Sequence, residues 1–184
     1  MEQEQEKSKM KEVLSWILYI AVIFGLTFFI ITFVGQRTKV SGQSMENTLH
    51  DGDNLIVEKL SYRFSDPKRF DVIVFPYRFE NNVFYIKRII GLPGETVQIK
   101  DGKIYIDGEI LEEDFGKEVI NDPGIAGNPI TLGNDEYFVM GDNRNHSADS
   151  RVRDVGPVHR DELIGRAWVR IWPLNQIGVV SHGK

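Results

Sequence analysis

The sequence has 184 residues, which is the size of about one domain and is long enough to bury a hydrophobic core. Its 22 basic and 27 acidic residues give a net charge of -5, which is the wrong sign for a surface that binds nucleic-acid phosphates. The sequence contains no cysteine, which excludes disulfides, a thiol nucleophile and a zinc site built on thiolates, so any nucleophile must be an oxygen or an amine.

The first element in the chain is a long apolar segment. Residues 13–36 include 24 consecutive positions without Asp, Glu, Lys or Arg, and roughly 20 apolar residues cross a bilayer as a helix. A buried core helix fits poorly because the apolar residues cover every helical face. A cleavable signal peptide fits poorly because the run is too long and no A-x-A site follows it. We therefore predict a retained transmembrane anchor over residues 13–36.

Basic residues flank both ends of this anchor, three before it and two after it: Lys7, Lys9, Lys11, Arg37 and Lys39. By the positive-inside rule this small excess places residues 1–12 in the cytoplasm. Residues 37–184 then form a domain outside the cytoplasm, attached to the cell membrane by a single pass.

After the anchor, the chain consists of short segments that are rich in β-branched and aromatic residues and bounded by Gly, Pro, Asp or Asn. We predict strands over residues 54–58, 71–75, 83–90, 96–100, 103–107, 136–140 and 167–172. Asp101 and Gly102 are typical of a two-residue hairpin turn. The prediction is a mostly β domain of antiparallel strands, with a long surface loop at 112–129 and a smaller hairpin and loop insertion at about 96–135.

The first polar segment that could carry chemistry is residues 40–49. Ser44 lies ten residues after Val34, so a fully extended chain at about 3.3–3.6 Å per residue keeps it within roughly 35 Å of the bilayer edge. A reaction at Ser44 would therefore occur near the membrane surface. By itself, a serine in a Gly-containing loop is more often a turn residue.

The second segment, residues 85–95, is typical of a strand that ends in a Pro-Gly turn, and it places Tyr85, Lys87 and Ile89 on one face. Apolar neighbours would lower the pKa of Lys87 from its reference of about 10.4, as a lysine requires before it can accept a proton. The alternative is a lysine that extends to solvent from an edge strand.

The third segment, residues 141–151, concentrates hydroxyl, carboxylate and guanidinium groups after an apolar strand. It could be a solvated turn. It could also be a supporting loop, in which Ser147 orients an amine and carboxylate–arginine pairs fix the backbone.

Together these segments resemble the bacterial type I signal peptidases, which are membrane-anchored serine proteases with a Ser/Lys dyad. The resemblance covers nearly the whole chain. It rests on the anchor and on four motifs in the family's order: S-G-x-S-M at 41–45, G-D-x-L-x-V-x-K at 52–59, K-R-x-x-G-x-P-G at 87–94 and G-D-N-R-x-x-S-x-D-S-R at 141–151. The single anchor and modest loop are similar to the compact Gram-positive form.

The resemblance implies a β catalytic domain of the type shared with self-cleaving repressors, and an endopeptidase that releases signal peptides from secreted precursors without a metal or cofactor. Ser44 is expected to be the nucleophile, with its backbone N–H in the oxyanion hole, and Lys87 the general base. Ser147 is expected to hydrogen-bond the Lys87 amine. The expected supporting ion pairs are Asp142 with Arg88 and Asp149 with Arg151. The histidines take no part and are expected on the surface or in loops: His50, His146, His159 and His182.

The family binds the residues before the cut as a strand added to a sheet edge, with shallow pockets for small side chains at the first and third positions. The residues that match those pockets are Val40, Met45, Leu49, Tyr85 and Ile86. For each of them the alternative is ordinary core packing. The expected partners are secretory precursors, whose apolar segment lies in the membrane, and the bilayer itself.

Two positions depart from the family pattern. Gly42 stands where other members carry a serine whose hydroxyl assists the oxyanion, and Ser41 is one position further away, so a backbone amide or water must replace that donor. Glu46 stands where many members have proline, which we expect to alter the rigidity of the turn.

Two other functions are alternatives to this one. A self-cleaving repressor would need a DNA-binding domain, whereas this chain has a predicted anchor and a net negative charge. A non-enzymatic, membrane-anchored β binding module, or an inactive relative, is the second alternative. The presence of both Ser44 and Lys87 argues against it.

Overall fold

In the computed structural model, residues 2–30, 32 and 35–183 are described, with side chains from residue 9 onward. Residues 1–36 and residues 37–184 form two units, each described by itself. The first is the helix α1 (Glu2–Phe29), which begins well before the predicted anchor. Its segment Lys9–Phe29 is long and apolar enough to cross a membrane, and none of its most apolar stretch is buried. Ile31, Phe33 and Val34 of the predicted anchor lie outside the described residues.

The second unit is built from antiparallel sheets. In the described part of the chain the strands are β1 (Gly35–Lys39), β2 (Asn54–Glu58), β3 (Val72–Pro76), β4 (Phe84–Gly91), β5 (Thr96–Lys100), β6 (Lys103–Ile106), β7 (Glu109–Ile110), β8 (Ile130–Thr131), β9 (Glu136–Met140), β10 (Val158–His159), β11 (Gly165–Trp172) and β12 (Gly178–Val179). A one-turn helix, α2 (Ser61–Phe64), follows β2. The predicted mostly β domain after an N-terminal apolar helix is confirmed.

The larger sheet has the order β1-β2-β11-β3-β4-β9-β10, with β12 added to β11. From β2 to β10 the pairings are antiparallel. A smaller sheet has the order β7-β6-β5-β8. Its hairpin β5–β6 turns at Asp101 and Gly102, both of which have positive φ, at 52° and 72°. This is the backbone that a two-residue hairpin turn requires.

All seven predicted strands are present, and their ends differ from the prediction by at most two residues. Four of the other five strands in the described residues, β7, β8, β10 and β12, have two residues each, too few for an alternating pattern to show. The predicted loop at 112–129 is largely irregular, but it is not wholly on the surface. Ile120 and Ala126 are buried against the core beside the smaller sheet, and Ala126 lies in a 3₁₀ turn at Gly124–Gly127.

One part of the core positions the segment around Ser44. Val40, Met45 and Leu49 are each at most 4% exposed and pack in the same cluster as Ile86 of β4. Burying an aliphatic side chain of this size stabilises the fold by about 1.5–3 kcal/mol. Since these three residues flank Ser44 on both sides, their burial holds the intervening loop against β4.

Candidate active site

Ser44 and Lys87 are in direct contact. Ser44 begins a tight turn over residues 44–48, in which the Met45 carbonyl accepts hydrogen bonds from the N–H groups of Thr48 and Leu49 at 3.0 and 2.9 Å. Lys87 lies in the middle of β4 and is 3% exposed. Its Nζ donates to Ser44 Oγ at 2.8 Å and to the Ile86 carbonyl at 3.1 Å. A hydroxyl and a buried amine thus meet with the geometry of a nucleophile and its base.

Burial changes the proton affinity of this amine. Desolvation lowers the pKa of Lys87 from 10.5 to about 8, while the charges of Asp149 and Asp142 act in the opposite direction. The ring of Tyr85 lies beneath the ammonium, 4.8 Å from Nζ to the ring centroid. A substantial fraction of Lys87 is therefore neutral in mildly alkaline solution, and that form can accept a proton.

The backbone N–H of Ser44 is available as a donor. Within the described residues, the Ser44 N–H donates no hydrogen bond, whereas the Ser44 carbonyl accepts one from Asn143 N at 3.0 Å. The Gly42 N–H is engaged with Asp51 Oδ1 at 2.9 Å. Gly42 has a φ of 93°, a left-handed conformation that costs little for glycine and more for serine. This geometry favours glycine over serine at position 42.

A buried ion pair ties the turn at Ser44 to β4. Arg88 donates from Nε and Nη2 to the two carboxylate oxygens of Asp142 at 2.8 and 2.7 Å, and neither side chain is exposed. Thr48 Oγ1 donates to the same carboxylate. Arg88 Nη1 also reaches the carbonyls of Phe70 and Ser181 at 2.8 and 2.9 Å. Bidentate pairs of this kind fix orientation as well as charge.

A second ion pair fixes the loop 141–151 internally. Arg151 donates from Nε and Nη2 to Asp149, both at 2.8 Å, and from Nη2 to the Arg144 carbonyl at 2.6 Å. Asp149 also accepts from the Gly141 N–H at 3.0 Å. Both charged side chains are at most 6% exposed. The loop that covers the Ser44 segment is therefore held by buried charges that balance each other.

Ser147 does not make the expected hydrogen bond to Lys87. Its Oγ is buried and has no hydrogen-bond partner among the described residues. His146 and Ala148 line the cleft that contains Ser44, whereas Ser147 lines a separate cavity of about 210 Å³. The reason is that successive side chains of this irregular stretch point to different sides of the loop.

The pair lies in a cleft of about 490 Å³. Four of the five residues that match the family's pockets line it: Val40, Met45, Tyr85 and Ile86. Leu49 does not. It is 1% exposed and packs in the core, because the turn directs it inward from Ser44. For Leu49, ordinary core packing is the correct interpretation.

The histidines occupy different environments. His50 and His146 are exposed, and His159 lies in β10 beside Asp135. His182 is not a surface residue: its side chain is 17% exposed, its Nδ1 accepts from the Val72 N–H at 3.0 Å and its Nε2 donates to the Ala167 carbonyl at 2.8 Å. Burial lowers the pKa of His182. Because the two bonds fix its tautomer, it serves as a clamp between β3 and β11.

Three residues of this site have no role in the sequence analysis. Asn143 binds the backbone carbonyls of both Ser44 and Gln43, the second through Nδ2 at 3.1 Å. Thr48 reaches Asp142 across the turn, and His146 lines the cleft. Asn143 is a fixed position of the motif at 141–151, and that was the available signal, whereas His146 stands at one of the unspecified positions of the motif. Thr48 carried no such signal.

The comparisons with known proteins cover most of the chain. Residues 13–172 match the family described as "Signal peptidase, peptidase S26". The chain is 40% identical over 155 residues to "Probable signal peptidase I-2" of Synechocystis sp., covering 82% of this chain and 69% of the relative. It is 44% identical over 154 residues to "Signal peptidase I" of Leptolyngbya laminosa, covering 80% of this chain and 73% of the relative. It is 34% identical over 184 residues to "Signal peptidase I" of Bacillus licheniformis, covering 96% of this chain and 98% of the relative.

Proposed function

The chain belongs to the signal peptidases of family S26, and from this premise we propose that it cleaves secretory precursors with Ser44 as the nucleophile and Lys87 as the general base. It is a peptidase, and its substrates are the precursors of secreted proteins. The observation that carries the proposal is the distance of 2.8 Å between Lys87 Nζ and Ser44 Oγ in the wall of the cleft.

In the acylation step, neutral Lys87 accepts the Ser44 hydroxyl proton while Oγ attacks the carbonyl carbon of the scissile bond. The negative charge that develops on the carbonyl oxygen is stabilised by the Ser44 N–H, which has no partner among the described residues. The protonated lysine then gives its proton to the leaving amine as the carbon–nitrogen bond breaks. The remaining half of the substrate is an ester on Ser44.

In the second step, a water molecule attacks this ester. Lys87, neutral again, takes a proton from the water as the new carbon–oxygen bond forms, and returns it to Ser44 Oγ as the ester breaks. The signal peptide leaves with a free carboxylate. An amine thus performs the role that imidazole performs in serine proteases with a histidine.

The two supporting ion pairs hold Ser44 and Lys87 in position and do not contact the reacting atoms in this proposal. Arg88 is adjacent to Lys87 in sequence, and its partner Asp142 accepts a hydrogen bond from Thr48 in the turn of Ser44. The pair therefore helps to keep the nucleophile and the base in contact. The Asp149–Arg151 pair holds the loop whose Asn143 binds the Ser44 carbonyl. The positioning residues in this proposal are Arg88, Asp142, Asp149 and Arg151.

The cleft supports binding of an extended peptide. Val40, Met45, Tyr85 and Ile86 line it close to Ser44, and Val40, Met45 and Ile86 are at most 8% exposed. Such shallow apolar surfaces accept small side chains and exclude large ones, which supports a preference for small residues at the first and third positions before the cut. The peptide would add as a strand along the cleft wall.

We further propose that the apolar helix is a single-pass anchor. Residues 1–12 are then cytoplasmic, residues 13–36 cross the bilayer, and residues 37–184 form the protease domain on the other side, with about 96–135 as its smaller insertion. The support is the membrane-crossing length of Lys9–Phe29 and the flanking basic residues. Family membership leaves the non-enzymatic β module without support.

The test is cleavage of a secretory precursor by the full chain in detergent or liposomes. Wild type, Ser44→Ala and Lys87→Ala are compared, and a thermal melt of each checks folding. We expect only the wild type to cut, after a small-x-small sequence, while all three fold. A wild type that never cuts, or a Lys87→Ala variant that cuts at the normal rate, would contradict the proposal.

A further inference from the structure

Two chain segments form opposite walls of the cleft that contains Ser44 and Lys87. One wall is residues 38–45 and the other is residues 82–87. Because Ser44 and Lys87 touch, both walls begin at the reacting pair and end at Thr38 and Asn82, six and five residues away. Fully extended walls of this length would span roughly 16–20 Å at about 3.3 Å per residue, and the bend at Gly42, whose φ is 93°, shortens the first wall, so the cleft has room for at most about five extended substrate residues.

Lys39 and Phe84 line the two walls of the cleft, five residues before Ser44 and three residues before Lys87. Lys39 is the last residue of β1 and is exposed. Phe84 is the first residue of β4 and is 46% exposed, although it is a large apolar side chain. Next to it, Tyr85 stacks on Tyr77 with ring centroids 4.8 Å apart, which holds the start of β4 in place. A cation and an aromatic ring thus border the space beyond the reacting pair.

The charge of this cleft is opposite to that of the whole protein. The chain carries a net charge of -5, but within the described residues the lining includes Lys39, Lys87 and His146 and no carboxylate. The carboxylate bonded to the cleft segment is that of Asp51, an exposed residue outside the lining, which accepts from the Gly42 N–H. A peptide in the cleft therefore meets the ammonium of Lys39 and no carboxylate of the described lining.

We propose that Lys39 and Phe84 form a subsite for the substrate side chain about five residues before the scissile bond, which favours an acidic residue and disfavours a basic one. The inference rests on the proposed function, because that function places the residues before the cut in the cleft. Lys39 supplies the charge at the end of a flexible stem, and Phe84 supplies an apolar surface for the methylene groups of the bound side chain. The alternative is that Lys39 only protects an exposed sheet edge from pairing.

The experiment uses a set of precursors with Asp, Ser or Lys at the fourth, fifth or sixth position before the cut, and measures kcat/KM with the full chain in detergent. We expect wild type to prefer Asp over Lys at one of these positions by roughly two- to fivefold, as for an exposed ion pair. Lys39→Glu should reverse that preference, and added salt should weaken it. Phe84→Ala should raise KM for the whole set and leave kcat unchanged.

Lys100→Glu is the matched control, since it makes the same charge change on an exposed residue at the end of β5, in the smaller sheet. We expect it to keep the wild-type preference. If Lys39→Glu keeps the wild-type ratio, or if Lys100→Glu changes the ratio equally, the subsite is wrong while the proposed function stands. If the precursor with Ser at all three positions is never cut by wild type, the proposed function fails and the subsite fails with it.

Discussion

Gly141 lies so close to the backbone carbonyl of Ser44 that a methyl group at position 141 would overlap it. The same methyl group would overlap Ser147 Oγ. The backbone of Gly141 has an ordinary φ, so the requirement for glycine is one of space. The loop 141–151 can therefore approach the nucleophile only because this position has no side chain.

We expect Gly141→Ala to destabilise the protein by about 1–3 kcal/mol, the usual cost of overpacking, and to reduce kcat by separating the loop from Ser44. Thermal melts and precursor cleavage check this. Gly178→Ala is the control, because a Cβ there meets no atom within 4 Å. Equal stability and activity of the two variants would contradict the close approach.

The rate of cleavage should rise with pH. Lys87 must be neutral to accept a proton, and its pKa is lowered to about 8, so the active fraction grows as the pH passes through that value and then levels off. A profile of kcat/KM against pH with a peptide substrate measures this. A rate that does not change across pH 8 would exclude Lys87 as the base.

Asp142→Asn should be strongly destabilising. It removes the carboxylate that pairs with the fully buried Arg88, and an uncompensated buried charge costs about 3–5 kcal/mol. Denaturant unfolding gives the value. Asp66→Asn is the matched control, because Asp66 pairs with Arg160 while 87% exposed, and its loss should change the free energy of unfolding by less than about 1 kcal/mol. If the two variants lose similar amounts of unfolding free energy, the prediction for the buried pair is wrong.

Ser147→Ala should leave the free energy of unfolding unchanged or raise it by about 1 kcal/mol. The reason is that Ser147 Oγ is buried without a partner in the described part of the chain, so its removal relieves a desolvation cost and breaks no hydrogen bond. The measurement is again denaturant unfolding. A clear loss of stability would mean that the hydroxyl has a partner after all.

The strands of the domain could be predicted because their signals are local. Residues 54–58, 96–100 and 136–140 have the predicted bounds, since β-branched and aromatic residues between flanking turn residues define a strand within a short window. β1 was missed, although it has five residues, because Gly-Gln-Arg-Thr-Lys contains little that is β-branched or aromatic. Its strand conformation comes from its place beside β2.

The candidate site could be predicted only through the resemblance. From the residues alone, Ser44 was more typical of a turn and Lys87 of an edge strand, because their contact joins segments 43 residues apart and no local pattern encodes it. Leu49 and Ser147 show the limit of motif matching. Leu49 matches a pocket position of the family and Ser147 stands in the motif at 141–151, but the direction of each side chain depends on how the turn or loop packs.

The bonds of Arg88 to the Ser181 carbonyl, and of His182 to the Val72 N–H, bear on when the protein becomes active during its own synthesis. Lys87 and Ser44 leave the ribosome early, but the buried guanidinium beside them lacks one of its acceptors until residue 181 has emerged, and β3 lacks the hydrogen bond from Val72 to His182 until residue 182 has emerged. We therefore expect the nascent chain to remain without proteolytic activity while it is being translated, and to mature only after its last strands have docked.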